Sequence, residues 1–102
     1  MNEAVFMLNA LWFKPKVGHQ RYREYADAMQ PLLEKAGAEV QPSYTIEASL
    51  IGDWDPDVFF IVKYPNQESF DSMIASPEFK AIKHLRENAI DKSLLLSCKQ
   101  LG

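Results

Sequence analysis

The chain has 102 residues, with 11 Lys and Arg against 14 Asp and Glu, and a formal net charge of -3. Charges of both signs are interspersed and no cluster of Lys and Arg falls on one predicted face, which excludes the electrostatic footprint of a nucleic-acid binder. The length predicts one domain, residues 1–102, that buries roughly two-thirds of its unfolded surface and so holds one modest core.

The single cysteine, Cys98, rules out an internal disulfide and fits a reducing compartment. It falls in an apolar strand and reads as a small buried hydrophobe. The apolar run Met1 to Phe13 has no basic region before it and is too short to span a membrane. These features predict a cytoplasmic protein with no membrane partner.

Ala4 to Lys14 reads as the first strand. Val5, Met7, Asn9, Leu11 and Phe13 fall on one face, and Phe6, Leu8, Ala10 and Trp12 on the other. Both faces are mostly apolar, so both should be buried. Pro15 stops the strand and Gly18 opens a helix over His19 to Ala36. Its apolar stripe is Tyr22, Tyr25, Ala26, Met29, Leu32, Leu33 and Ala36, and Gly37 ends it. Pro31 inside this pattern predicts a kink or a break near Asp27 to Met29.

Glu39 to Ile51 reads as a second strand, with Pro42 marking an edge position or a bulge. The turn Gly52-Asp53-Trp54-Asp55-Pro56 leads into a third strand, Asp57 to Tyr64, again apolar on both faces. Trp54 could cap a pocket mouth or pack at a dimer edge. Pro65 and Asn66 break the strand, and Asn66 is placed to cap a helix. That helix comes in two pieces. Phe70, Met73 and Ile74 face inward in the first, and Ser76-Pro77-Glu78 restarts it. Phe79, Ile82, Leu85, Arg86, Ala89 and Ile90 continue the inner face. The last strand spans Ser93 to Gln100.

Strand, helix, strand, strand, helix, strand is the ferredoxin-like βαββαβ order: an α+β fold with an antiparallel sheet and both helices on one face. The other face would be bare yet apolar, which a monomer cannot hide. The simplest remedy is a homodimer in which two bare faces close into an α+β barrel.

Three stretches carry a resemblance: ALWFKP at the end of the first strand, YREYADAMQPLLEKAGA in the first helix, and FFIVKYPNQESFDSMIASPEFKAIKHLRENAI from the third strand onward. With them the chain resembles the family called domain of unknown function 1330. That family is a relative of the antibiotic-biosynthesis-monooxygenase type in the dimeric α+β barrel superfamily. The resemblance implies the fold and the dimer, and supplies no agreed reaction. Two positions depart from the family pattern: Gly37-Ala38 stands where members often have two glycines, and Ile51 precedes Gly52 where many carry a carboxylate. Only Arg86, on a matched position, transfers as a pocket candidate.

Five residues are candidate ligand contacts. Arg86 lies on the helix face that meets the sheet, where a guanidinium needs a partner. It is either a salt bridge tying the helix down or a clamp for a carboxylate or enolate. Asn9 sits mid-strand in an apolar register and must be hydrogen-bonded or face a cavity. Tyr22, Tyr25 and Trp12 could wall an aromatic pocket between helix and sheet, or simply fill the core. His19 and His84 are the weak catalytic candidates, as the residues whose ordinary pKa lies near neutrality. No phosphate loop, nucleotide fingerprint, serine elbow or zinc spacing is present, so neither cofactor nor metal is expected.

Three functions fit. The first is a protein binding a small apolar or aromatic molecule between helices and sheet. The second is a cofactor-independent monooxygenase or isomerase on a small aromatic or polyketide-like substrate. The third is a dimeric scaffold whose side chains fill that space themselves. Whether the chain is an enzyme stays open at this point.

Overall fold

The computed structural model describes residues 3–101. The first two residues of the apolar run and of residues 1–102, and the last residue, lie outside the described residues. Four strands form one antiparallel sheet in the order β2-β3-β1-β4, where β1 is Val5–Phe13, β2 Glu39–Val40, β3 Val58–Tyr64 and β4 Ile90–Cys98. The helices are α1 (Gly18–Ala36), α2 (Gln67–Ala75) and α3 (Pro77–Ala89). This is the ferredoxin-like arrangement, with the second helix in two pieces as its sequence requires.

Local chemistry sets the boundaries. The Asn66 side chain accepts a 2.8 Å hydrogen bond from the Ser69 amide and caps α2. Ser76 caps α3 by accepting from the Phe79 amide, and Pro77 occupies the first turn, where no partner for an N–H is needed. Gly37 ends α1 in the left-handed region at φ 72°. Gly18 is buried where the end of β1, the start of α1 and the end of α3 meet. A Cβ there would stand 2.6 Å from Phe13 Cβ and 2.7 Å from the Ala89 carbonyl oxygen, so only glycine fits.

Three expectations need correction. Pro31 does not break α1, which runs unbroken from Gly18 to Ala36. The proline is exposed, and helix packing around Tyr25 and Met29 outweighs the lost backbone bond. The second strand does not reach Ile51. Regular pairing stops at Val40 because Pro42 has no amide to donate, and only Tyr44 pairs again, with Phe59. Residues 45–57 follow an irregular path, tied down where the Asp57 carboxylate accepts from the Phe13 amide at 2.7 Å. Cys98 is half-buried rather than buried.

Register assigns the two faces. Met7 pairs with Val62, Asn9 with Phe60 and with Leu95, and Leu11 with Val58 and with Ser93. Those residues face the helices, and Met7, Leu11, Phe60, Val62 and Tyr64 join Tyr25, Met29 and Met73 in one core cluster. The opposite face carries Phe6, Leu8, Ala10, Trp12, Phe59, Ile61, Leu94 and Leu96. Trp54 and Tyr44 lie against Phe59 there, with ring centroids 5.4 and 5.7 Å away. No helix among the described residues covers this face, and Leu96 remains 50 % exposed.

Candidate ligand-binding site

A cleft of about 720 Å³ opens between the helices and the sheet, within the usual range for small-molecule sites. Its floor is the helix-facing register of β1, β3 and β4, with Met7, Asn9, Val62 and Leu95. Its roof is the apolar stripe of α1, with Tyr22, Tyr25 and Met29. Phe79 and Arg86 enter from α3, and Phe70 and Met73 from α2. Small side chains at Ala26, Val40 and Ser93 leave the space that bulkier ones would fill.

The cleft is apolar except for a few groups. Arg86 is the only charged residue lining it among the described residues. It is half-buried in the last turn of α3, and among the described residues no side-chain hydrogen bond or carboxylate within ion-pair reach engages its guanidinium. Burial raises the pKa of the Tyr22 and Tyr25 phenols, Tyr25 adds to the rise at Tyr22, and the Arg86 charge, which favours the ionised forms, offsets only part of it. Tyr64, also a lining residue, is pushed up to about 12, first by burial and then by the neighbouring Tyr25. All three therefore stay neutral hydrogen-bond donors near neutral pH. Asn9 donates one amide hydrogen to the Met7 carbonyl at 3.1 Å, which fixes the side chain along its own strand.

The structure thus brings Arg86, Asn9, Tyr22 and Tyr25 into one cavity. Trp12 does not join them. It lies on the far side of the sheet, donates from its indole nitrogen to Asp55 at 3.0 Å, and has the Lys92 ammonium 4.5 Å from its ring centroid. Strand alternation is the reason: Trp12 is three positions after Asn9, an odd offset, so they point to opposite faces. His19 is exposed and packs on Phe13 at 4.5 Å between ring centroids, and His84 is exposed on α3; neither lines the cleft. Trp54 covers the opposite face of the sheet rather than the mouth of this cavity.

Sequence reasoning missed the methionines Met7, Met29 and Met73, and Tyr64. Their helical or alternating spacing was visible, but spacing alone does not separate a wall from a filled core. A second hollow of about 380 Å³ lies between the end of α1 and the α2–α3 junction, beside Lys35, Glu68 and Glu78. Among the described residues no three His, Cys, Asp or Glu side chains gather as a metal would require. No helix among them is long and apolar enough to cross a membrane.

Comparison with known proteins agrees with this architecture. The family model for the domain of unknown function DUF1330 matches residues 17–97. A solved structure of a protein of unknown function from Rhodopseudomonas palustris is similar over 100% of this chain and 85% of its own, with 28% identity and a TM-score of 0.91. A candidate antibiotic biosynthesis monooxygenase from Bacteroides thetaiotaomicron shares the fold over 97% of this chain and 90% of its own, with 16% identity and a TM-score of 0.71. So does a dimeric ferredoxin-like protein of unknown function from Jannaschia sp. CCS1, over 96% and 100%, with 11% identity and a TM-score of 0.72. No curated protein matches.

Proposed function

The chain belongs to the DUF1330 family, and from that premise we propose that it is a homodimeric small-molecule-binding protein whose ligand sits between the helices and the sheet of each subunit. The observation that carries this reading is the open cleft of about 720 Å³, with aromatic walls and a guanidinium that has no protein partner among the described residues. A scaffold with a filled core would close that space and pair the arginine.

The dimer belongs to the same reading. Its support is the apolar sheet face without a helical cover, together with the dimeric state of the Jannaschia neighbour. Two such faces closed on each other would bury Leu8, Ile61 and Leu96 at roughly 25 cal/mol per Å² of apolar area.

Binding is favoured over catalysis by where the histidines lie. A general base must reach the proton it removes, and His19 and His84 are both outside the cleft. The alternative, a cofactor-independent monooxygenase or isomerase, draws on the fold shared with the Bacteroides protein. It would use Arg86 and Asn9 to stabilise an enolate formed by the substrate's own electronics.

Native mass spectrometry on gently purified protein tests the proposal. The expected result is the mass of two chains, with a reproducible small-molecule adduct. A single-chain mass would refute the dimer. A dimer that stays unliganded after exposure to a library of small apolar and aromatic compounds would refute the binding reading.

A further inference from the structure

The cleft is chemically lopsided. Its single charge among the described residues, Arg86, lines the cavity with Tyr22 and Tyr25 and lies within electrostatic reach of both phenols. Tyr22 also packs against Phe13 at the end of β1, with ring centroids 5.4 Å apart. Ser93, opposite Leu11 on β4, lies at the same end of the sheet. Met7 and Val62 are four strand positions further along, and Met73 closes that end beneath Tyr64, whose hydroxyl points to the Met73 sulfur at 3.9 Å. Four positions of strand correspond to about 13 Å. Among the described residues no Asp or Glu lines the cavity, so its lining there carries a positive charge at one end and none at the other.

Those features exclude ligand classes. A cation would meet a guanidinium with no acid to offset it. A wholly apolar ligand would seal the guanidinium away from water without a partner, which is costly. A sugar or nucleotide would find few polar groups along the methionine end. What remains is a molecule with one anionic group and a long apolar body.

From this, and resting on the binding role proposed above, we infer that the ligand is an amphipathic monocarboxylate. Its carboxylate is held by Arg86 with the Tyr22 and Tyr25 hydroxyls, and its apolar or aromatic body lies toward Met7, Met29 and Met73. The planar guanidinium fork matches two carboxylate oxygens. The two phenols can donate to the same group, because burial keeps them protonated. The unbranched, polarizable methionines adapt to more than one tail shape, so the head group carries most of the selectivity.

The test compares 4-phenylbutyrate with its neutral amide, 4-phenylbutanamide, by calorimetry and by amide chemical-shift mapping. The protein is the full chain, with R86M, R86K and Y22F as variants. The carboxylate should bind the parent protein at least about tenfold more tightly than the amide, the lower end of what a charge-assisted hydrogen bond contributes. R86M should abolish that preference, bringing the affinity for the carboxylate down to that for the amide. R86K should restore part of it through charge alone, and Y22F should reduce it while the cleft keeps its shape. Shifts should map to α1 and the helix-facing register of β1 and β4. Equal affinities for the two probes, or a preference that survives R86M, would overturn the anion clamp and leave a cleft that binds apolar molecules. No binding of either probe at millimolar concentration would overturn the clamp and the binding role together. Shifts confined to the opposite face of the sheet would also overturn both.

Discussion

Replacing Arg86 by Met should stabilise the unliganded protein. Arg86 is half-buried and, among the described residues, has no protein partner, while its guanidinium nitrogens stay within reach of water. A fully buried unsatisfied polar group costs about 1–3 kcal/mol, and water contact keeps this case to about 1 kcal/mol or less. Met has nearly the same helix propensity, and its side chain would meet an apolar wall that includes Phe79 and Leu95. Against this gain, Arg86 is the basic residue in the last turn of α3. Its favourable interaction with the helix dipole, about 0.3–1 kcal/mol, would be lost. The balance is a gain of at most about 0.7 kcal/mol. For a chain of this size that corresponds to a rise in Tm of at most roughly 3–6 °C. Differential scanning calorimetry measures it, with parent and variant at equal protein concentration, because the Tm of a dimer depends on concentration. A fall in Tm of similar size would refute the reasoning and make Arg86 a structural ion-pair partner. A residue that costs stability in the empty protein is what a binding site predicts.

Three further outcomes follow from the fold. Alkaline titration should destabilise the protein from about pH 10 upward, because the folded pKa values of Tyr22, Tyr25 and Tyr64 are raised above the ordinary phenol value of about 10. The folded state then holds protons that the unfolded state has released. The tyrosine contribution is fully present below pH 10 and is lost as pH rises through the folded values, about 12 for Tyr64. Ultraviolet tyrosinate absorbance read beside circular dichroism checks this, and ionisation of these three near pH 10 in intact protein would refute it. Gly18→Ala should cost about 1–3 kcal/mol in urea unfolding, since its Cβ would collide with Phe13 and the Ala89 carbonyl; an unchanged midpoint would show that the junction is looser than its geometry. Leu8→Asp, on the helix-free sheet face opposite Ile61 and Leu96, should leave the protein aggregated or unfolded in sedimentation and circular dichroism. A folded variant that keeps the two-chain mass would place the interface elsewhere.

Much of the architecture was legible because it rests on local signals. Asn66 and Ser76 cap helices where their side chains can reach amides three residues on, and Gly37 stops α1 where a left-handed residue is needed. Alternation in β1 and β3 separated two apolar faces correctly. It could not say which face would meet the helices, since both carry Phe, Leu, Met or Val. Pro42 marked the edge strand, but the length of that strand was overread. The segment after it is positioned by non-local bonds, from Trp12 to Asp55 and from the Phe13 amide to Asp57, across 43 and 44 residues of sequence. No local pattern announces such bonds.

The site divides along the same line. Asn9, Tyr22, Tyr25 and Arg86 converge because each sits on the inward register of its own element, which periodicity reveals. Trp12 was drawn in by its aromatic character against its parity; on a strand parity decides, and Trp12 spends its indole N–H on Asp55 instead. Whether inward residues fill a space or line one is a question of volume, which depends on what faces them across the gap. Ala26 on α1, Val40 on β2 and Ser93 on β4 are small residues on three different elements, and the cleft opens among them. A helix stripe of Tyr, Ala and Met would pack solid against larger residues at those positions. The cavity, and with it the exposure of Arg86 to a ligand rather than to a protein carboxylate, therefore arises from the pairing of elements far apart in sequence.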